Sequence, residues 1–87
     1  MKIVCSALYE EQLKAILAAF PTQKAAKDFK LYLDTIIMNA PTKAKKYKQS
    51  RYFEEENIKD IEYENYTIPM YVNLEQESYF IIGIVKK

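Results

Sequence analysis

Residues 58–85, IKDIEYENYTIPMYVNLEQESYFIIGIV, constrain this chain more than any other stretch. Ile58, Asp60 and Glu62 alternate with Lys59, Ile61 and Tyr63. Tyr66, Ile68, Met70 and Val72 alternate with Thr67, Pro69, Tyr71 and Asn73. Residues 79–85 are apolar apart from Gly83. Alternation predicts half-buried strands, and a short continuous apolar run predicts a central strand buried on both faces. Glu64-Asn65 fits a two-residue hairpin turn, because Asn tolerates φ > 0. The polar residues 73–78 form a second connector. Pro69 cannot donate to a ladder, so its strand must bulge there or leave that N–H side unpaired. Gly83 predicts a bulge or a close backbone approach.

The preceding residues supply what this meander needs to cover it. MKIVC is a short strand that adds to the sheet. Ser6 is placed to cap a helix, with Glu10 and Glu11 near its positive end. Tyr9, Leu13, Ile16, Leu17 and Phe20 form its apolar stripe, and Pro21 stops it. Thr22 caps a second helix, whose buried face is Ala26, Phe29, Leu33, Ile36 and Ile37. Asn39 and Pro41 end it. Tyr32 and Met38, at the margin of the stripe, read as boundary packing. Two helices with so short a link form an antiparallel αα-hairpin. The expected fold is α+β over one domain, residues 1–87: an N-terminal strand, the hairpin, then a three-strand antiparallel meander (β-α-α-β-β-β).

Composition excludes several chemistries. The chain has no histidine, one cysteine and one glycine. Histidine-dependent triads, thiolate or imidazole metal sites and glycine-rich phosphate loops are ruled out, and no metal or cofactor is expected. An enzyme built from this chain would work with Lys, Arg, Tyr, Glu or Asp. Cys5, in an apolar edge segment, reads as an inert buried thiol. No apolar run is long enough to span a membrane, and Glu10 and Glu11 come too early for a signal peptide, so the cytoplasm is the expected compartment.

Charge is unevenly placed. Residues 1–52 hold ten Lys or Arg against four carboxylates, and residues 53–87 hold three against eight. The densest part is residues 41–52, PTKAKKYKQSRY, where Lys43, Lys45, Lys46, Lys48 and Arg51 are interleaved with Tyr47 and Tyr52. This is either a solvated connector or a nucleic-acid contact, with cations on phosphates and a tyrosine on a base. Glu54, Glu55 and Glu56 follow at once. They read as a solvated turn rather than paired catalytic carboxylates, since adjacent residues do not converge on one point.

Taken in order, KIVCSALYEEQLKAIL, then RYFEEENIKDIEYENYTIPMYV, then FIIGIVKK resemble the RelE/ParE superfamily of toxins from bacterial type II toxin–antitoxin systems. The likeness lies in order and spacing over nearly the whole chain. It implies a twisted, mainly antiparallel sheet carrying a helical hairpin. It also implies a cognate antitoxin that wraps the surface, giving a toxin–antitoxin hetero-oligomer. One branch of the family cleaves mRNA on the ribosome. The other, ParE-like, poisons DNA gyrase and has no established chemistry of its own.

The chain departs from the nuclease branch. Thr67 stands where many of those nucleases carry an arginine, Ile61 takes the next inward position after Lys59, and the matching stretch closes with Lys86 and Lys87. The resemblance therefore implies a growth-arresting toxin that acts by binding gyrase. The alternative is a metal-independent endoribonuclease, with Lys59, Arg51 and Lys86 as catalytic cations and Tyr63 or Tyr66 near the scissile bond. Lys43, Lys45, Lys46, Lys48 and Arg51 would then contact nucleic acid. A further alternative is a degenerate member that only binds its antitoxin.

Overall fold

A computed structural model describes residues 2–87. Met1, which belonged to the expected first strand, lies outside the described residues. The order is β1 (Lys2–Cys5), α1 (Ala7–Ala18), α2 (Gln23–Lys43), a 3-10 turn (Ala44–Lys46), β2 (Ile58–Tyr63), β3 (Tyr66–Asn73), β4 (Ser78–Ile81) and β5 (Val85–Lys86). The strands form one mixed sheet in the order β1-β4-β3-β2, with β5 also paired to β3. The meander β2-β3-β4 is antiparallel. β1 is parallel to β4, which corrects the expectation of a mainly antiparallel sheet at that edge. Two hairpin turns separate β2 from β4, so they run alike, and β1 runs in the same direction as both.

Both helices start where their caps predict. Ser6 Oγ accepts from Tyr9 N–H at 2.9 Å, and Thr22 Oγ1 accepts from Ala25 N–H at 3.1 Å. The helices cover one face of the sheet. Tyr9, Leu13, Phe29, Leu33 and Ile37 meet Ile61, Ile68, Met70, Val72, Tyr79 and Ile81 in a single core. At one margin Phe29 packs edge-on against Phe20 (ring centroids 5.0 Å apart) and Tyr66 (5.6 Å), and tilted on Tyr63 (5.2 Å).

α2 does not end at Asn39 or Pro41. It runs through Pro41 to Lys43. The apolar spacing Leu33, Ile37, Ala40, Ala44 continues past the proline, and Ala40 and Ala44 are both buried. Thr42 Oγ1 donates to Asn39 O at 2.8 Å and occupies one carbonyl near the interruption. Burial of the alanine face outweighs the lost hydrogen bond of Pro41. Tyr32 and Met38 are not boundary packing. They are 64% and 71% exposed.

The apolar run 79–85 is not one strand buried on both faces. β4 stops at Ile81, β5 starts at Val85, and Phe80 is exposed on the open face of the sheet. The cause lies across the ladder at Pro69. Its carbonyl accepts from Ile82 N–H at 2.9 Å, so its nitrogen faces the same flank, where it has no hydrogen to give. β3 keeps its register with β2 unbroken, Asp60 opposite Pro69, so no bulge forms there. Residues 82–84 instead turn to α1. Ser6 Oγ donates to Ile82 O at 2.6 Å, and Ile84 N–H donates to Gln12 Oε1 at 2.9 Å. Gly83 is the close approach that its sequence position predicts: a Cβ there would lie 2.7 Å from Gln12 Oε1.

The β2–β3 turn falls at Glu64-Asn65 as expected, but the left-handed residue is Glu64 (φ 52°), not Asn65. A side chain in that region costs about 1–2 kcal/mol. Glu64→Gly should therefore raise stability by about 1 kcal/mol, read as a later urea midpoint with an unchanged slope. A second strain is chemical. Tyr9 is buried and its hydroxyl has no partner among the described residues. Burial first, then the neighbouring Cys5, pushes its ionisation well above the ordinary tyrosine value. Tyr9→Phe should leave stability unchanged or raise it by about 1 kcal/mol, because it removes an unsatisfied group and keeps the ring.

Candidate functional site

The basic stretch is anchored in two different ways. Lys43 closes α2, and Ala44, Lys45 and Lys46 form the 3-10 turn. Beyond Tyr47 the chain is extended along the outer edge of β2. Gln49 sits opposite Lys59 in an antiparallel bridge. Ser50 N–H donates to Ile58 O at 2.8 Å, and Asp60 N–H donates to Lys48 O at 3.1 Å. Asp60 closes the clamp, its Oδ2 accepting from Arg51 N–H at 2.9 Å. Alternation then sorts the side chains, with Lys48 and Ser50 on the open face beside Asp60 and Ile58, and Gln49 on the helix face with Lys59.

This division produces two clefts. One, of about 670 Å³, lies where β2 begins and β3 ends, and is lined by Lys45, Lys59, Glu56, Asn57, Tyr71 and Asn73 among others. The second, of about 530 Å³, lies between the basic segment and β2, lined by Lys46, Tyr47, Lys48, Gln49, Arg51, Asp60 and Glu62. Among the described residues, Lys43, Lys45, Lys46, Lys48 and Lys59 form no ion pair. Lys43, Lys45, Lys46 and Lys48 are also exposed. These four therefore remain available to an anionic partner. Lys59 is half-buried on its cleft wall.

Arg51 differs. Its guanidinium reaches Glu62 Oε1 at 3.4 Å, and Lys87 Nζ reaches Glu62 Oε2 at 2.9 Å. Thr67 Oγ1 donates to the same oxygen at 3.1 Å. The hydrogen bond from Lys87 leads in holding the Glu62 carboxyl below its ordinary value; burial opposes it, and Thr67 and the charges of Lys87 and Arg51 add to the lowering. Glu62 thus ties Arg51 and Lys87 together, one carboxylate against two cations, and a net positive charge remains. Exposure keeps this network weak.

The three cations named for a nuclease are not brought together. Lys59 stands opposite Met70 on the helix face, and Lys86 stands opposite Tyr66. Those positions are four residues apart on β3, about 13 Å along the strand. Arg51 is bound to Glu62 on the opposite face. Tyr63 and Tyr66 belong to the aromatic cluster with Phe29, and Tyr63 Oη lies 3.5 Å from Phe29 O. Cys5 is half-buried, and burial first, then Glu10, raises its thiol pKa, as an inert thiol requires.

Sequence reasoning missed Asp60 and Glu62. Each is an ordinary polar position in an alternating strand. The one available signal was that both fall on the outward set of β2, next to the cations of the preceding segment. Among the described residues no helix is long and apolar enough to cross a membrane, and no three acidic or cysteine side chains gather as metal ligands. No protein-family model and no curated protein matches the chain.

Proposed function

We propose that this chain acts by binding rather than by chemistry, as the toxin component of a type II toxin–antitoxin pair with DNA gyrase as its target. The observation that carries the reading is the separation of Lys59, Arg51 and Lys86. Stabilising a pentacoordinate phosphate needs cations aimed at one point within hydrogen-bond reach. Here one candidate is held by Glu62 on the open face, and the other two lie far apart on the opposite face. The α+β frame with β1 at the sheet edge supports the resemblance but does not select a target. A cognate antitoxin would hold the protein inactive, meeting the unpaired lysines with acidic side chains.

The test is supercoiling by purified gyrase with the purified chain added. Inhibition that the purified antitoxin relieves is the expected result. Undisturbed supercoiling at a large molar excess of the chain removes gyrase as target.

A further inference from the structure

We propose that the free edge of β1 is a dimerisation surface, on which a second copy of this chain lays its own β1 antiparallel about a two-fold axis at Val4. The inference stands apart from the toxin reading and holds or fails without it. The two margins of the sheet are finished differently. At β2 the basic segment covers the edge, through the Gln49–Lys59 bridge and the bonds that Ser50 and Lys48 make to Ile58 and Asp60. β1 is the other margin. Lys2 N–H donates inward to Glu77 O at 3.0 Å, and Ser6 N–H donates inward to Ile81 O at 2.9 Å. Alternate residues of a parallel ladder turn to the same neighbour. Lys2, Val4 and Ser6 therefore bond to β4, and the N–H and C=O groups of Ile3 and Cys5 point outward. Among the described residues nothing is bonded to these outward groups. A bare apolar edge is a template for another strand.

The strand is complementary to itself. Ile3 and Cys5 lie symmetrically about Val4. An axis there sets Ile3 opposite Cys5 of the second copy and Cys5 opposite its Ile3, and each such pair exchanges both N–H···O bonds. An axis at Ile3 or at Cys5 pairs fewer outward groups among the described residues, and an axis between residues sets outward groups against inward ones. Lys2, the charged residue of the strand, falls opposite Ser6 and away from its own copy. The open face fits the same axis. Val4 and Phe80 are cross-strand neighbours there, 39% and 41% exposed. In the dimer Val4 meets Val4 with Cα atoms about 4.5 Å apart, and an apolar row from Phe80 to Phe80 closes over the seam. A strand of 4 residues buries less than the about 1,200 Å² of stable interfaces, so the dimer is weak and depends on concentration.

The experiment is sedimentation equilibrium of the purified full chain from about 10 μM to about 1 mM. The mass should rise towards twice that of the monomer, with a dissociation constant on the order of 100 μM. Val4→Lys keeps the inward N–H in the ladder and sets two ammonium groups face to face across the axis. It should raise that constant at least about tenfold and leave the circular dichroism spectrum unchanged. Disulfide trapping in a Cys5→Ser background reads the register. Val4→Cys should be captured as a covalent dimer on mild oxidation, because a disulfide spans Cα atoms about 4.4–6.8 Å apart. Lys2→Cys, about 13 Å from its copy along the strand, should not be captured. A monomer at every concentration overturns the proposal and leaves the edge to a strand of another protein. Dimerisation of Val4→Lys equal to that of the unaltered chain, or equal capture of the two cysteine variants, overturns it too. Should Val4→Lys fail to fold, the comparison of the cysteine variants decides alone.

Discussion

Replacing Ala40 with aspartate lowers stability by about 3–5 kcal/mol, a large part of what a domain of this size possesses. Ala40 is 0% exposed and sits in the core with Leu33, Ile37 and Ala44. The aspartate stem is too short to carry its charge to water, and the core offers it no cation. Met38→Asp, on the exposed side of the same helix, should change stability by less than about 1 kcal/mol. Urea unfolding of both variants checks the pair. Comparable, small effects would mean that α2 ends before Pro41 and that residue 40 faces solvent. That outcome would also undo the placement of the lysines, because the packed Ala44 fixes where the 3-10 turn points Lys45 and Lys46.

The second large effect is at Gly83. Gly83→Ala should cost about 1–3 kcal/mol. The backbone there is not left-handed, so alanine brings no torsional strain of its own. The cost arises because the new methyl would sit 2.7 Å from Gln12 Oε1. Gln12 can swing away, but then the N–H of buried Ile84 loses its acceptor. A double-mutant cycle isolates this coupling. In a Gln12→Ala background, Gly83→Ala should be neutral, or stabilising by up to about 1 kcal/mol through the unfolded chain. Strict additivity of the two changes would show that Gln12 does not hold the 82–84 crossing.

The elements with strong local signals were legible in the sequence. Ser6 and Thr22 announce their helices, and the alternation of β2 and β3 announces the pair. What escaped depends on partners distant in the chain. Ala40 and Ala44 are too small to register as an apolar stripe, so Pro41 looked decisive when packing overrode it. The run 79–85 looked like one strand because Pro69, which interrupts it, lies ten and more residues earlier. The parallel pairing of β1 with β4 joins residues as far apart in the chain as Lys2 and Ser78, which no local pattern encodes. At the candidate site, the density of cations was visible but their division was not. Helical geometry directs Lys45 one way, and extended geometry along β2 directs Lys48 another. Asp60, which fixes that extended run, was just one polar residue of an alternating strand until its bond to Arg51 N–H placed it.

The most direct test of binding without chemistry is mapping of transcript 5′ ends a few minutes after induced expression in bacteria. Growth should stop, transcripts should remain whole, and a Lys59→Ala/Arg51→Ala/Lys86→Ala variant should arrest growth as the unaltered chain does. New 5′ ends inside translated codons, lost in that triple variant, would contradict it and restore those separated cations to one active site on the ribosome. Unslowed growth would remove the toxin reading altogether.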